Sequence, residues 1–274
     1  MTDIGPESGT EPGPLLIIGG REDKTGDRVI LRAIAERVQG RKLVLATVAS
    51  RAPEGYFDAY EAAFAELGVT EIVELYVHER GDTLGGQMNH LFEDAAGIFF
   101  TGGDQLRISS QIAGTPIEAA VRAIHARGGL IAGTSAGAAA MSDTMLVRGS
   151  GSVSHRIGDL HMAPGLGLMP HIIIDQHFAE RGRIGRLLGA VAQNPRVLGV
   201  GVDEDTAILV TGATFRVLGS GAVTVVDGSG VTHSNIAEAR PERTLSMHDV
   251  RLHVLATGDG FDLALRRPLH RADD

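Results

Sequence analysis

The sequence predicts an α/β fold built on a doubly wound, mainly parallel β-sheet. Two observations carry this prediction. Short segments that are apolar throughout, such as Leu15–Ile18 and residues 43–48, alternate with segments of helical periodicity, such as residues 27–39. Strands that are apolar on both faces are typical of a parallel sheet covered by helices on both sides. Because crossover connections in such sheets are right-handed, the expected arrangement is flavodoxin-like.

The remaining elements follow in the same order along the chain. In the first half we expect further strands at 72–77, 97–100 and 129–132, and helices at 56–67 and 117–127. After about residue 145 the pattern changes to a strand at 172–175, a helix at 184–192, and then mostly strands at 197–202, 207–210, 215–218, 223–226 and 252–255. We expect this β-rich C-terminal part to extend or flank the main sheet.

Composition limits the function classes. The chain contains no cysteine, which excludes disulfides, a thiol nucleophile and thiolate metal sites. A formal net charge of −9 argues against nucleic acid or an anionic membrane as partner, and no apolar run is long enough to span a bilayer. Residues 1–13 are acidic and lack the features of a secretory signal. We expect them to be a disordered tail, residues 14–274 to be one α/β hydrolytic domain, and the protein to be cytoplasmic.

A candidate nucleophile follows the strand at 129–132. There the pattern Gly133-x-Ser135-x-Gly137 leads into an alanine-rich segment, as a nucleophile elbow requires. The backbone N–H of Ala136 and the N-terminus of the following helix favour a developing oxyanion. Gly102 and Gly103 close an earlier strand at the same sheet edge, and their N–H groups are candidates for the second oxyanion donor. Without such a role, these glycines form an ordinary turn.

A serine nucleophile needs a base, which is usually a histidine oriented by a carboxylate. His177 ends the apolar run that begins at residue 172, so it is placed at the carboxyl end of a strand, where ligand sites gather in open α/β sheets. Glu204 follows another apolar strand and is the favoured orienting acid. Spacing alone leaves Asp203 and Asp205 as alternatives.

Four motifs in chain order resemble the cyanophycinase family of serine peptidases, which also holds the α-aspartyl dipeptidases. They are Thr101-Gly102-Gly103-Asp104-Gln105, Gly133-Thr134-Ser135-Ala136-Gly137-Ala138, Asp175-Gln176-His177-Phe178 and Asp203-Glu204-Asp205-Thr206-Ala207. The resemblance implies a fold related to class I glutamine amidotransferases and a Ser-His-Glu triad at Ser135, His177 and Glu204. It also implies a homodimer that needs no metal or cofactor.

The resemblance also implies a substrate. Members of the family degrade cyanophycin, a polyaspartate chain that carries arginine on each β-carboxylate, and they release β-Asp-Arg dipeptides from its C-terminal end. Arg183 is the first choice for binding a substrate carboxylate and Arg186 the second, whereas Arg181 is expected to be solvated.

Three further residues, Gln105, Asp175 and Gln176, resemble pocket residues of the family. For Asp175 two roles stay open, since it either pairs with the substrate guanidinium or only buttresses the site.

Three other functions compete with this one. The first is an aspartyl or isoaspartyl dipeptidase of the same family, acting on small peptides. The second is a non-catalytic flavodoxin-like domain whose glycine-rich strand ends bind an anion. The third is a metallohydrolase that uses His155, His161, His171 and His177, although their spacing matches no H-E-x-x-H pattern.

Overall fold

Two β-sheets that share an apolar core organise the chain. The structure, a computed structural model, describes residues 11–52, 55–149, 155–237 and 243–269. The first part of the chain forms β1 (Leu15–Ile18), α1 (Val29–Val38), β2 (Leu43–Ala46), α2 (Tyr56–Glu66), β3 (Ile72–Leu75), two 3-10 turns (Arg80–Thr83 and Asn89–Phe92), β4 (Gly97–Phe100), α3 (Gln105–Ile112), α4 (Pro116–Ala126), β5 (Leu130–Thr134) and α5 (Ala136–Ala139).

The second part is dominated by strands. It forms β6 (Thr144–Arg148), β7 (His161–Pro164), β8 (Ile172–Gln176), α6 (Ile184–Gln193), β9 (Leu198–Val202), β10 (Thr206–Thr211), β11 (Thr214–Gly219), β12 (Val223–Asp227), β13 (His233–Ser234), β14 (Met247–His248), β15 (Arg251–Leu255), β16 (Gly260–Asp262) and β17 (Arg267–Leu269).

The larger sheet has nine strands in the order β17-β16-β11-β10-β1-β5-β4-β2-β3. The five strands from β1 to β3 in this order run parallel, while β10, β11, β16 and β17 extend the sheet in antiparallel pairs. The smaller sheet has the order β15-β12-β9-β8, in which only β8 and β9 are parallel. The β-rich C-terminal part therefore both extends and flanks the main sheet.

Side chains alternate between the two faces of each sheet. In β1, Leu16 and Ile18 face α1 and α2, whereas Leu15 and Ile17 face the core shared with the smaller sheet. Helices α3, α4 and α5 also pack into this shared core, and α6 covers the outer face of the smaller sheet. The predicted doubly wound, mainly parallel α/β fold is confirmed.

The predicted elements differ from the observed ones in two respects. Most boundaries shift by one or two residues, and several elements were not predicted, namely strands β6, β7, β13, β14, β16 and β17 and helix α3 (Gln105–Ile112). Helix α3 is only eight residues long, contains the polar run Ser109-Ser110-Gln111 and buries only Gln105, Ile108 and Ile112, so few apolar residues mark it in the sequence. Its start is nevertheless well defined, since the Asp104 carboxylate caps it by accepting from the Leu106 N–H at 2.9 Å.

The predicted N-terminal tail falls mainly outside the described residues, since only residues 11–13 of it are described. Of these, Gly13 is buried, and its N–H donates to the carbonyl of His125 at 2.7 Å. The packed chain therefore includes Gly13, which was assigned to the tail. Among the described helices, none has the length and apolar character needed to cross a bilayer.

An ion pair connects the two sheets. Asp227 ends β12 of the smaller sheet, and its fully buried carboxylate accepts from Nη1 of Arg266, between β16 and β17 of the larger sheet, at 2.8 Å. The same carboxylate accepts from the N–H and hydroxyl of Ser229 at 3.0 and 2.8 Å. Burial acts to raise the pKa of Asp227, but the hydrogen bonds from Ser229 and Arg266 outweigh it and the pKa lies below its usual 3.8.

Asp227→Asn is expected to lower the free energy of unfolding at pH 7 by about 1–3 kcal/mol, because a charge-assisted hydrogen bond is lost. A depressed carboxyl pKa contributes stability above pH 3.8, and that contribution disappears as the pH falls through the folded-state pKa. The free energies of unfolding measured in urea should therefore differ between variant and wild type at pH 7 and converge in acid. The exposed Asp27→Asn is the control, and an equal effect of the two substitutions would contradict the assignment.

Candidate active site

Ser135 occupies a sharp turn between β5 and α5. Its backbone has φ 53° and ψ −108°, a conformation that costs free energy in any residue with a side chain. Two glycines make the turn possible. A Cβ at Gly133 would lie 2.6 Å from the carbonyl carbon of Gly137, and one at Gly137 would lie 2.3 Å from the carbonyl oxygen of Phe100. The Gly-x-Ser-x-Gly pattern therefore forms the tight strand-to-helix turn that it predicts.

Two hydrogen bonds connect three residues from distant parts of the chain. Oγ of Ser135 lies 3.0 Å from Nε2 of His177, and Nδ1 of His177 lies 2.7 Å from Oε1 of Glu204. His177 follows β8, and Glu204 lies where the chain passes from β9 in the smaller sheet to β10 in the larger one. This arrangement is chemically able to move a proton from the hydroxyl to the imidazole while the carboxylate stabilises the imidazolium.

The two neighbouring acids, which the spacing left open, are engaged elsewhere. Asp203 accepts from the N–H groups of Ala179 and Ala222 at 3.0 and 3.1 Å. Asp205 accepts from the N–H of Asp23 at 2.9 Å and from the hydroxyl of Ser220 at 2.8 Å. Both carboxylates therefore stabilise neighbouring loops through hydrogen bonds, and Glu204 is the acid of this run that contacts His177.

The end of β1 holds His177 in place. The N–H of His177 donates to the carbonyl of Gly19 at 2.8 Å, and a Cβ at Gly20 would lie 2.4 Å from Cε1 of the imidazole. Gly20 has φ +113°, a conformation that L-residues rarely adopt. The lack of a side chain at this position therefore allows the backbone to touch the histidine ring.

The electrostatic surroundings of His177 favour its neutral form. Burial lowers its pKa below 6.5, the hydrogen bond and charge of Glu204 act to raise it, and the positive charges of Arg181 and Arg183 lower it further. The net effect is a lowered pKa. The imidazole is therefore free to accept a proton at neutral pH, as a general base must be.

The candidate oxyanion donors lie around the nucleophile. A Cβ on Gly102 would lie 3.5 Å from Cβ of Ser135, so this glycine is next to the hydroxyl. Gly103, with φ +142°, packs against Ala49, and both glycines line the same cleft as Ser135. Ala136 begins α5, and the first N–H groups of a helix lack intrahelical partners. Their oxyanion role stays a prediction.

A buried charge cluster lies beside Ser135. The carboxylate of Asp175, fully shielded from solvent, pairs with Arg186 through Nε at 2.7 Å and also through Nη2, and it lies 3.3 Å from Nη1 of Arg183. Both oxygens of Asp175 are therefore bound by the protein. Of the two roles left open for this residue, the geometry favours the buttress, since it holds two guanidinium groups at the cleft.

The two predicted glutamines are also held by the protein. Oε1 of Gln176 accepts from Nη1 of Arg183 at 3.0 Å and lies 3.5 Å from Oγ of Ser135. Nε2 of Gln105 donates to the carbonyl of Leu146 at 2.8 Å, and Gln105 lines the same cleft as Ser135. Gln176 thus links the guanidinium of Arg183 to the nucleophile.

These residues surround a cleft of about 500 Å³. Its lining is formed by Arg21, Lys24, Tyr56, Tyr60, Gly102, Gly103, Gln105, Thr134, Ser135, Val147, Gln176, His177, Arg181, Arg183 and Arg186. Five of these described residues are arginine or lysine, and none is aspartate or glutamate. The cleft is therefore suited to an anionic ligand, even though the chain as a whole carries a net charge of −9.

Sequence reasoning missed two of the lining cations, Arg21 and Lys24, and set a third, Arg181, aside. The first two lie in the charged run at residues 21–24, which directly follows β1. The rule that ligands bind at the carboxyl ends of parallel strands would have pointed to this run, as it did to His177. Arg181 was expected to be solvated. It is exposed as expected, but it also lines the cleft and acts on the pKa of His177.

A larger concavity of about 1220 Å³ lies elsewhere on the molecule. It is lined near the amino ends of the strands, by residues such as Leu15 and Leu198, and it contains none of Ser135, His177 and Glu204. The candidate relay is therefore associated with the smaller cleft.

The metal-site alternative can be compared with the observed positions of its histidines. Within the described ranges, which include His155, His161, His171 and His177, no group of three or more His, Asp or Glu side chains is placed so that it could hold a metal ion. The four histidines therefore do not converge.

Comparisons with known proteins place the chain in a family. The model of peptidase family S51 matches residues 15–218. The chain belongs to peptidase family S51. The enzyme class expected from the sequence, a serine-type peptidase, is thereby confirmed.

This S51 peptidase is 40% identical over 260 residues to a cyanophycinase of Trichormus variabilis, with 93% of this chain and 87% of the relative covered. It is 37% identical over 259 residues to a cyanophycinase of Geminocystis herdmanii, with 93% and 95% covered.

Two solved structures have a similar fold. A peptidase from an acI-B1 actinobacterium superposes with a TM-score of 0.63 at 20% identity, over 88% of this S51 peptidase and 97% of that chain. A putative peptidase E from Listeria monocytogenes superposes with a TM-score of 0.54 at 17% identity, over 76% and 98%. At these identities the likeness supports the fold alone.

Because the pKa of His177 is lowered, kcat/KM of this S51 peptidase should rise with pH through a midpoint below 6.5. Arg181→Gln removes a charge that lowers this pKa, so the midpoint should move to higher pH. The exposed Arg32→Gln, on α1, is the control and should leave it unchanged. A downward shift in the Arg181 variant, or equal shifts in both variants, would contradict this account of the site.

Proposed function

We propose that this S51 peptidase is a cyanophycin-degrading serine exopeptidase. The observation that carries the proposal is the contact of Ser135 with His177, at 3.0 Å, in a cleft whose charged lining is entirely cationic among the described residues. Relatives at 37–40% identity over most of the chain are named cyanophycinase, and they support the choice of substrate.

The charges of the substrate suit this cleft. Each unit of cyanophycin carries the free α-carboxylate of its arginine, and the last unit also carries the terminal carboxylate of the aspartate backbone. Two carboxylates therefore arrive together at the C-terminal end of the polymer. A lining with five cations offers partners for both, and guanidinium groups bind carboxylates with two parallel hydrogen bonds.

The proposed reaction divides peptide hydrolysis into two steps. Oγ of Ser135 attacks the carbonyl carbon of an aspartyl backbone bond while Nε2 of His177 takes the hydroxyl proton. The C–N bond then breaks, His177 gives the proton to the departing amine, and β-Asp-Arg leaves. Water next attacks the ester on Ser135, again losing its proton to His177, and this step frees the shortened polymer and the serine hydroxyl.

The remaining roles follow from position. Glu204 holds the imidazole in the tautomer that presents an unprotonated Nε2 to Ser135, and it stabilises the imidazolium in both steps. The N–H groups of Ala136 and of Gly102 or Gly103 stabilise the negative charge that develops on the carbonyl oxygen. Arg183, anchored on Gln176, contacts a substrate carboxylate.

Product analysis of cyanophycin incubated with the purified protein tests the proposal. Wild type should release β-Asp-Arg. Ser135→Ala and His177→Ala should each lower kcat by at least about 10⁴-fold, and Glu204→Gln by about 10³- to 10⁴-fold, because each interrupts the relay. The matched control Ser110→Ala, at an exposed position on α3, should keep full activity.

Two outcomes would overturn the proposal. Hydrolysis of aspartyl dipeptides without hydrolysis of cyanophycin would favour the dipeptidase instead. Unchanged hydrolysis in Ser135→Ala would exclude the serine as nucleophile.

A further inference from the structure

Lys24 is held in a fixed position at the edge of the cleft. Its Nζ lies 3.5 Å from Oε1 of Glu22 and 4.5 Å from the centre of the Tyr60 ring, and it also donates to the carbonyl of Glu22 at 3.5 Å. Ammonium groups are attracted to both carboxylates and aromatic faces. The side chain keeps 31% of its surface exposed, so the ammonium is restrained without being buried.

The restraint originates in Glu22, whose side chain is completely buried. Its Oε1 accepts from the hydroxyl of Tyr60, and its Oε2 accepts from the hydroxyl of Thr134 at 2.6 Å. A buried carboxylate is costly unless it is paired with a cation or fully hydrogen-bonded, and Lys24 is the cation in contact with it. The position of Lys24 is therefore coupled to Thr134, the residue immediately before Ser135.

Arg183 is restrained by the same means from another loop. It follows β8, contacts the buried carboxylate of Asp175 at 3.3 Å and donates to Gln176, and it lines the cleft together with Lys24 and Ser135. Lys24 and Arg183, from different parts of the chain, thus each contact a buried acid and line the cleft that contains Ser135. Such fixed charges bind an anion with little loss of side-chain entropy.

We infer that Lys24 is a specificity-determining residue that binds a carboxylate of the terminal β-Asp-Arg unit, the unit that leaves when Ser135 is acylated. The inference rests on the proposed function. The ammonium has three N–H donors, and its contacts with Glu22 are one hydrogen bond to the carbonyl and one ion pair with the carboxylate, so donor capacity is left for a ligand. The terminal β-Asp-Arg unit carries two carboxylates, and Lys24 on one loop and the pair Arg183 and Arg186 after β8 are restrained cations that border the cleft from two sides.

A defined trimer of β-Asp-Arg units tests the inference. Lys24→Gln should lower kcat/KM for this trimer by about 10-fold or more, mainly through a higher KM, and Lys24→Arg should restore it to within about 3-fold of wild type. The chain has only one other lysine, Lys42, whose Nζ donates to the carbonyl of Glu93 at 2.8 Å away from the cleft lining. Lys42→Gln is therefore the matched control and should behave as wild type.

Two altered trimers identify the carboxylate. One ends in a terminal amide, and the other carries agmatine in place of the last arginine, so each lacks one of the two carboxylates. For the trimer that lacks the partner of Lys24, wild type should lose about 10-fold in kcat/KM and Lys24→Gln should cause no further loss. Equal losses in Lys24→Gln on all three trimers, or no loss on any, would overturn the inference.

A binding measurement covers the case in which Lys24→Gln folds poorly or wild type does not turn over. Full-length Ser135→Ala labelled with [ε-¹³C]lysine should give two lysine signals, which Lys24→Arg assigns. Titration with β-Asp-Arg, and separately with succinate as a simple dicarboxylate, should shift the Lys24 signal and leave that of Lys42 in place. If neither signal or both move, Lys24 is not the binding group. Failure of wild type to cleave the trimer would instead count against the proposed function. The titration measures binding alone and needs no turnover, so the two failures are distinguishable.

Discussion

The close approach of the end of β1 to the segments that follow β8 and β9 is the constraint on which the site depends. Gly19 accepts from the N–H of His177 and donates to the carbonyl of Thr206, and the carbonyl of Gly20 accepts from Asp205. A Cβ at Gly19 would lie 2.0 Å from the carbonyl oxygen of Asp203, so no larger residue fits there without a backbone shift. Since β1 pairs with β5, these glycines bring His177 and Glu204 to Ser135.

Cations line the cleft, and the acids that contact them lie outside the lining. Each of three acids next to the cleft contacts one or more of its cations: Glu204 contacts Arg21 at 3.3 Å, Glu22 contacts Lys24, and Asp175 contacts Arg183 and Arg186. Five neighbouring positive charges would otherwise repel one another in a space of about 500 Å³. The acids reduce that repulsion, and the cations remain the charged groups that a ligand meets at the lining.

The sequence was most informative where local rules decide the structure. The apolar strands and the turn at Ser135 were predictable because burial and glycine spacing leave few alternatives. Glu204 was favoured as the partner of His177, but spacing left Asp203 and Asp205 open, since three consecutive acids have the same local pattern and only the tertiary structure separates them. Helix α3 was missed because it is short and contains few apolar residues. Lys24 was missed because its role depends on Glu22, Tyr60 and Thr134, which come together only in the folded chain.

The division of the relay between the two sheets has a consequence for how activity is lost. Ser135 follows β5 of the larger sheet, His177 follows β8 of the smaller one, and Glu204 lies on the connection between them. If the sheets moved apart, Ser135 would lose its contact with His177 even where each sheet kept its own hydrogen bonds. Under the proposed function, turnover would therefore report on the packing of one sheet against the other, which the hydrogen bonds within each sheet do not.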